Sequence, residues 1–214
     1  MPPAEPPTLA DVVVVLAGLF ERLEISYAFG GALATSYWGV PRTTQDADCL
    51  IAVPALAYQR LADSLAADGF LIDEPAGVQP VSVADLRRQL AERGYMSLAW
   101  RSVSVELFVP VVPLQHEILK RAQTLPFAGR TIRVSTAEAL ILLKMAFHRQ
   151  KDLLDVRGIL HVQKGRLDVD YVRRWSDRML DDVLAVELEA MLRDYDAADG
   201  TSAASHPADP PRGP

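Results

Sequence analysis

Two aspartates separated by one residue lie at the start of an apolar segment, where they could hold a divalent cation. In an extended strand, residues i and i+2 point to the same face, so Asp46 and Asp48 of TQDADCLIAV would present their carboxylates side by side. Carboxylates beside an apolar run raise the free energy of the folded state unless a cation compensates their charge. Oxygen ligands suit Mg²⁺, with Mn²⁺ as the alternative ion. A solvated strand edge is the competing interpretation of this pair.

Glu106 is the candidate for a third carboxylate at the same site. It lies in the otherwise apolar segment SVSVELFV, which is predicted to be a strand. A buried glutamate requires a compensating partner. If this strand neighbours the aspartate strand, the three acids complete one metal site. If it is an edge strand, Glu106 faces solvent.

Gly30 and Gly31 predict an anion-binding turn between a strand and a helix. Glycines let the backbone approach an anion closely, and the first N–H groups of the following helix point towards it. Arg42 follows Pro41 in the connection before the aspartate strand, where its guanidinium could contact a phosphate. An ordinary turn and a surface arginine are the alternative interpretations.

A nucleoside triphosphate is the ligand that uses a cation site and an anion site together. Two metal ions about 3.5 to 4 Å apart can activate an attacking hydroxyl and neutralise a pyrophosphate leaving group during an in-line displacement. The residue types and their order therefore predict an NTP substrate.

Composition limits the other classes of function. The net charge of −6 over 214 residues argues against a broad electrostatic surface for nucleic acid, although a local basic patch within residues 120–151 stays open. The single cysteine, Cys49, cannot form an internal disulfide or a zinc site with other thiolates, and is predicted to be a packing residue. No apolar run is long enough to span a membrane, and MPPAEPPT does not resemble a secretory signal, so we expect a cytoplasmic protein without membrane contact.

The elements that position these residues are predicted to be mixed α/β up to about residue 113 and helical thereafter. Thr8 with Asp11, and Ser135 with Glu138, are predicted as capping boxes. Predicted helices cover 11–24, 32–39, 54–70, 83–93, 114–123, 135–150, 152–163, 168–179 and 180–195. Predicted strands cover 25–29, 44–53, 70–73, 95–101 and 102–110.

The segments GGALATSYWGVPRTTQDAD and LLKMAFHRQKDLLDVRGIL together resemble the DNA polymerase β-like nucleotidyltransferase superfamily. Their order and spacing are similar to those of the AbiEii-like nucleotidyltransferases of type IV toxin-antitoxin systems, over roughly residues 10–165. The chain departs from many members in having Gly31 instead of serine and Glu106 instead of aspartate.

The resemblance implies a nucleotidyltransferase fold, an α/β (α+β) arrangement with a mixed sheet flanked by helices and a helical C-terminal part. Residues 8–134 would form the nucleotidyltransferase-like domain, and 135–197 the helical region. Residues 1–7 and 198–214 are predicted from composition to be disordered tails.

The resemblance also assigns functional roles. Asp46 and Asp48 would be metal ligands, and Glu106 would help activate the acceptor hydroxyl. Lys144 would join the catalytic set, with Asp152 and Asp155 at the nucleotide. The alternatives are a snorkelling Lys144 paired with Glu138, and an Asp152 that only serves the helix N-terminus.

Two functions follow from these predictions. The first is Mg²⁺-dependent transfer of a nucleoside monophosphate to a hydroxyl of a protein, a tRNA or a small molecule such as an antibiotic. The resemblance implies that such an enzyme would act as a toxin-antitoxin component with a cognate antitoxin or toxin. The alternative is an interaction protein of the same fold with little or no turnover, which acts by binding. In that case we expect a partner at the apolar side chains of the last two helices, Trp175, Met179, Leu180 and Leu184.

Overall fold

The computed structural model describes residues 6–75 and 77–202, which form helices around one eight-stranded sheet. The helices are α1 (Leu9–Arg22), α2 (Gly31–Trp38), α3 (Tyr58–Ala67), α4 (Val83–Arg93), α5 (Pro113–Arg121), α6 (Ala137–Phe147), α7 (Gln150–Val162), α8 (Val169–Met179) and α9 (Asp182–Ser202). The strands are β1 (Ser26–Phe29), β2 (Asp46–Ala52), β3 (Phe70–Glu74), β4 (Gly77–Pro80), β5 (Tyr95–Trp100), β6 (Val103–Phe108), β7 (Gln123–Phe127) and β8 (Arg130–Val134).

The sheet is mixed, in the order β4-β3-β5-β6-β2-β1-β8-β7. The pairs β2–β6 and β1–β8 are parallel, and the other neighbours are antiparallel. Helices α6 to α9 follow the last strand and form the C-terminal part. The predicted mixed α/β fold with a helical C-terminal part is confirmed.

Alternating burial along β2 separates a packing face from a polar face. Ala47, Cys49 and Ile51 are fully buried, whereas Asp46 is exposed and Asp48 is half-buried. This is the two-residue period of a strand with one face in the core. Cys49 is a packing residue, as predicted.

Of the two predicted capping boxes, the one at the start of α1 is present and the one at the start of α6 is not. Thr8 and Asp11 form the predicted capping box of α1. The predicted box of Ser135 and Glu138 is wrong, because Thr136 caps α6 by accepting a hydrogen bond from the backbone N–H of Ala139. The carboxylate of Glu138 instead accepts the backbone N–H of Asp168.

Three strands were not expected from the sequence: the edge strand β4 and the hairpin β7–β8. The hairpin lies where helical periodicity was predicted after residue 113. Its turn uses positive φ at Ala128 and Gly129, and Pro126 lies in the outer strand. Proline and a glycine turn are typical of an edge hairpin, but the short strands between α5 and α6 carry little periodic signal.

The sheet and the C-terminal helices share one hydrophobic core. Residues of α1, the central strands, α6, α7 and α9 belong to the same buried cluster. The division at residue 134 therefore remains a prediction about organisation. Helix α9 continues to Ser202, past residue 198 where the C-terminal tail was predicted to begin. Most of both predicted tails lies outside the described residues. None of the described helices is long and apolar enough to cross a bilayer.

Candidate active site

Asp48 and Glu106 are direct neighbours on two adjacent parallel strands. In the register of β2 and β6, Asp48 is opposite Glu106 and Asp46 is opposite Ser104. The intervening pair, Ala47 and Val105, is fully buried on the other face, so the three carboxylates share one face of the sheet. Because β6 lies between β5 and β2, the edge-strand interpretation of Glu106 is excluded.

Asp48 ionises less readily than an ordinary aspartate. Burial raises the pKa of Asp48 to about 6, and the negative charges of Glu106 and Asp46 add to that effect. The positive charges of Lys144 and Lys151 act in the opposite direction. A carboxylate with neighbouring like charges is stabilised in its ionised form by a bound cation.

The paired glycines abut the same carboxylate. The backbone N–H of Gly30 donates to the carbonyl of Asp48 at 2.9 Å, which fixes the start of α2 against β2. Gly31 has φ of +53°, and a Cβ built there would lie 1.7 Å from Oδ2 of Asp48. Only glycine satisfies both conditions, so a serine at position 31 would not fit this arrangement. The N-terminal turn of α2 therefore faces the carboxylates.

Lys144 and Arg42 converge on the carboxylate of Asp155. Lys144 donates to Asp155 Oδ2 at 2.6 Å, and the Nε of Arg42 donates to Asp155 Oδ1 at 3.2 Å. Burial opposes ionisation of Asp155, but the hydrogen bonds from Lys144 and Arg42 outweigh it and lower its pKa. The snorkelling interpretation of Lys144 is wrong, since its side chain is only 7% exposed and its ion-pair partners are Asp155 and Asp152.

Asp152 has two roles in the structure. Its carboxylate accepts the backbone N–H of Arg149 at the start of α7, and the guanidinium of Arg149 donates to it at 2.6 Å. Nζ of Lys144 lies 3.8 Å from its other oxygen. The expected function at the helix N-terminus is therefore present, together with a position on the cavity wall.

These side chains surround a cavity of about 380 Å³ between the sheet, the glycine turn and helices α6 and α7. Its charged lining divides into an acidic wall on β2 and β6 and a basic wall on α6, the start of α7 and the loop before β2, where Asp152 also lies. The acidic wall carries Asp46, Asp48 and Glu106, and the basic wall carries Arg42, Lys144, Arg149 and Lys151. Two other cavities contain none of the predicted site residues: one of about 410 Å³ lies between α8 and α9, and one of about 530 Å³ lies between α7 and α9.

The cavity brings together all but one of the residues predicted from sequence. Asp155 does not line the cavity and instead forms ion pairs with Arg42 and Lys144, which do. Sequence reasoning missed Arg149, Lys151 and Phe147, which also line it. The basic run HRQK, residues 148–151 at the start of α7, was a signal for Arg149 and Lys151. Phe147 carried no signal, because an apolar residue in an apolar helix is typical of a core.

A divalent cation fits this donor set as a shared ion. Among the described residues, no group of three or more His, Cys, Asp or Glu side chains is arranged to hold a metal ion by itself. Mg²⁺ is commonly held by one or two carboxylates and completed by waters and substrate phosphates. Asp48 and Glu106 supply such a pair, with Asp46 one step along β2. The metal assignment remains a prediction.

Comparisons with known proteins returned similar structures but no similar sequences. No protein-family model matches the chain, and no curated protein matches it. It is similar to an antigenic nucleotidyltransferase-like protein from Paracoccidioides brasiliensis, with 20% identity over 84% of this chain and 92% of that chain, and a TM-score of 0.49.

Two antibiotic-modifying proteins are also similar in structure. They are ANT(2″)-Ia in complex with adenylyl-2″-tobramycin, at 14% identity over 87% of this chain and 98% of that chain with a TM-score of 0.49, and the lincomycin-bound lincosamide antibiotic adenylyltransferase LnuA, at 13% identity over 72% and 98% with a TM-score of 0.45. These values describe a partial likeness of fold, so the chemistry of this chain is inferred from its own cavity.

Proposed function

We propose that the protein transfers a nucleoside monophosphate from an NTP to a hydroxyl group, with Mg²⁺ as cofactor and pyrophosphate as the second product. The observation that supports this most strongly is the charged lining of one cavity, which the Asp48–Glu106 pair and the glycine turn share with Lys144 and Arg149. A triphosphate with its cation carries both signs of charge and complements both walls.

The glycine turn and the basic wall bind the phosphates. The first N–H groups of α2 lack intrahelical partners and favour an anion near Gly31. Lys151 is exposed and makes no ion pair of its own within the described residues, so its charge is available to the triphosphate. Arg42 is 37% exposed and is a further phosphate contact. Asp155 and Asp152 position the side chains of Arg42 and Arg149 and do not touch the phosphates.

In the transfer step, the acceptor oxygen bonds to the α-phosphorus while the bond to the bridging oxygen of the β-phosphate breaks. The pyrophosphate leaves towards the basic wall, and the hydroxyl proton passes to Glu106 or to solvent. A divalent cation held by Asp48 and Glu106, with Asp46 one step along β2, would polarise the phosphoryl oxygens and neutralise the charge of the leaving group. The register of β2 and β6 keeps these acceptor-side carboxylates together.

The acceptor is a protein, a tRNA or a small molecule, and we place the chain with the AbiEii-like nucleotidyltransferases as a toxin-antitoxin component. The resemblance singles out the helical Lys144 and either Asp152 or Asp155, and Lys144 forms buried ion pairs with both, at 3.8 Å and 2.6 Å. A cognate antitoxin or toxin would then be its partner. The predicted partner surface gives the non-catalytic alternative no support, because Trp175, Met179 and Leu180 pack partly buried against the core and Leu184 is half-buried.

Label transfer tests the proposed reaction. The purified protein is incubated with Mg²⁺, cell lysate and each of the four NTPs, labelled either at the α- or at the γ-phosphorus. We expect α-label on a protein, RNA or small-molecule fraction, and no γ-label there. The Asp46→Ala/Asp48→Ala variant loses the transfer, whereas Asp73→Ala, which removes an exposed aspartate on β3, retains it.

Three results would count against this function. Absence of α-label with every NTP contradicts the enzyme, and if Mg²⁺-NTP still binds it favours the interaction protein. Transfer of γ-label would indicate a kinase-like reaction instead. Label that persists in the double variant refutes the assigned site.

A further inference from the structure

Phe147 is a large aromatic side chain left open at the mouth of the cavity. It is the last residue of α6, lines the cavity and is 63% exposed. Most of the other apolar side chains of this helix are buried. An aromatic ring with this exposure contributes little to the core, so the face of the ring that Arg149 does not cover is available to a ligand.

The backbone holds this ring in a defined place. His148 follows it with φ of +50°, and its N–H donates to the carbonyl of Lys144 at 2.9 Å, which ends the helix sharply. The His148 ring lies 2.7 Å from a carboxylate oxygen of Glu187 on α9. These contacts of His148 place Phe147 at the corner where α6 ends.

The ring also lies next to the proposed phosphate-binding cations. The guanidinium carbon of Arg149 is 5.2 Å from the ring centroid, and Arg149 is held by Asp152. Along α6, Leu140, Lys144 and Phe147 follow the i, i+4, i+7 spacing of one helix face, and all three line the cavity. One face of α6 thus presents an aromatic ring and an ammonium group side by side.

The remaining lining divides in the same way. Besides the charged walls, the cavity has apolar side chains that cannot contribute to phosphate binding. They include Leu50, Phe108, Ile118, Leu140 and Leu143. A ligand that complements all of this surface carries a flat apolar ring attached to a polyanion, which is the chemistry of a nucleotide.

We propose that Phe147 is a binding residue that stacks against the nucleobase of the NTP, beside phosphates held by Arg149 and Lys144. This inference rests on the proposed function and adds a contact to the base, which no sequence motif specifies. Stacking on an aromatic ring accepts every base, so it strengthens NTP binding in general rather than selecting one nucleotide.

Calorimetry with and without a base on the ligand tests the contact. Each NTP and inorganic tripolyphosphate are titrated, with Mg²⁺, into the full chain. We expect every NTP that binds to bind more tightly than tripolyphosphate. Phe147→Ala should weaken the binding of each of these NTPs by about 5- to 150-fold, the range for stacking of one base, and leave tripolyphosphate affinity unchanged. Phe147→Trp should restore NTP affinity.

The matched control is Leu154→Ala, which truncates a 62% exposed apolar side chain on α7 that does not line the cavity. It should change neither affinity. If wild type binds an NTP and Phe147→Ala binds it equally well, the stacking contact is overturned and the proposed function stands. Equal loss of NTP and tripolyphosphate affinity also overturns it, because the effect is then structural. If wild type binds neither ligand, both proposals fail.

Discussion

Gly31 and Asp48 occupy the same corner of the cavity, and each limits what the other position can hold. The positive φ of Gly31 places its backbone against the carboxylate, where no side chain fits. In return, Asp48 is half-buried beside a turn whose N–H groups favour negative charge. The glycine pair and the aspartate pair, which are separated in sequence, are therefore parts of one structural unit.

A methyl group at position 31 should disrupt this unit. We expect Gly31→Ala to lower the free energy of unfolding by more than the roughly 1 to 2 kcal/mol of positive φ alone, because its Cβ also collides with Asp48. Urea unfolding provides the measurement. The control is Gly129→Ala, where φ is +79° and no atom lies within 4 Å of the added Cβ. Equal losses in the two variants would contradict the close approach to Asp48.

Removing the charge of Asp48 should stabilise the fold at neutral pH while it abolishes activity. The pKa is about 6 in the folded protein and 3.8 in a model peptide, so the folded state retains a proton that the unfolded state releases between these values. Stability contributed by this group consequently rises as pH falls through 6. At pH 7.5 the ionised carboxylate costs the folded state on the order of 1 to 3 kcal/mol.

Asp48→Asn should therefore raise the Tm at pH 7.5 by about 2 to 4 °C for each kcal/mol relieved, and by less at pH 5, where Asp48 is already mostly protonated. Thermal unfolding at the two pH values gives the comparison, with Asp73→Asn on β3 as the exposed control. A Tm that falls at pH 7.5, or a gain of equal size at both pH values, would contradict the claim that the ionised carboxylate of Asp48 destabilises the folded state.

At this level the sequence was informative where spacing alone implies geometry. Alternation placed Asp46 and Asp48 on one face, and the glycine pair indicated a turn. Sequence could not reveal that Asp155 lies behind the cavity, because this depends on how α7 packs on α6. Nor could it separate Phe147 from the core residues that precede it in the same apolar helix.

Two contacts between elements assemble the site. Parallel pairing of β2 with β6 places Glu106 opposite Asp48, and the packing of α6 on α7 places Lys144 between Asp152 and Asp155. The strands themselves were predictable from alternation, whereas their parallel pairing depends on a long connection through β3 to β5. The hairpin β7–β8, which brings the chain back to β1, was missed.

The Lys144 contact should be costly to break from one side only. Lys144→Met removes a buried ammonium group from Asp152 and Asp155, whose side chains are only 2% and 8% exposed. Removing one partner of a buried pair typically costs about 3 to 5 kcal/mol, and the double variant Lys144→Met/Asp155→Asn should recover part of the loss. Midpoints of urea unfolding measure both effects.

Lys120→Met is the surface control, since Lys120 is 74% exposed and pairs with Glu117 at 3.6 Å. It should change stability little. If the double variant is no more stable than Lys144→Met, the two helices are not coupled through this ion pair, and Lys144 must act in another way.

The whole molecule combines a negative net charge with a local basic wall. The net charge of −6 correctly predicts that the surface as a whole is not basic. It does not report the local distribution of charge, since the cavity gathers four basic side chains: Arg42, Lys144, Arg149 and Lys151. The predicted α/β architecture is confirmed by the eight-stranded mixed sheet. Which side chains the C-terminal helices bury could not be predicted, because the core extends from the sheet into α9.

The proposed function requires a divalent cation and a triphosphate to bind together between the Asp48–Glu106 pair and the glycine turn. A crystal structure with Mn²⁺ and α,β-methylene NTP, whose α–β linkage cannot be cleaved, tests it most directly. We predict an anomalous Mn²⁺ peak contacted by Asp48 and Glu106, with the phosphates at Gly31 and Lys144. An ordered nucleotide or Mn²⁺ ion elsewhere, with this cavity free of both, would contradict the account.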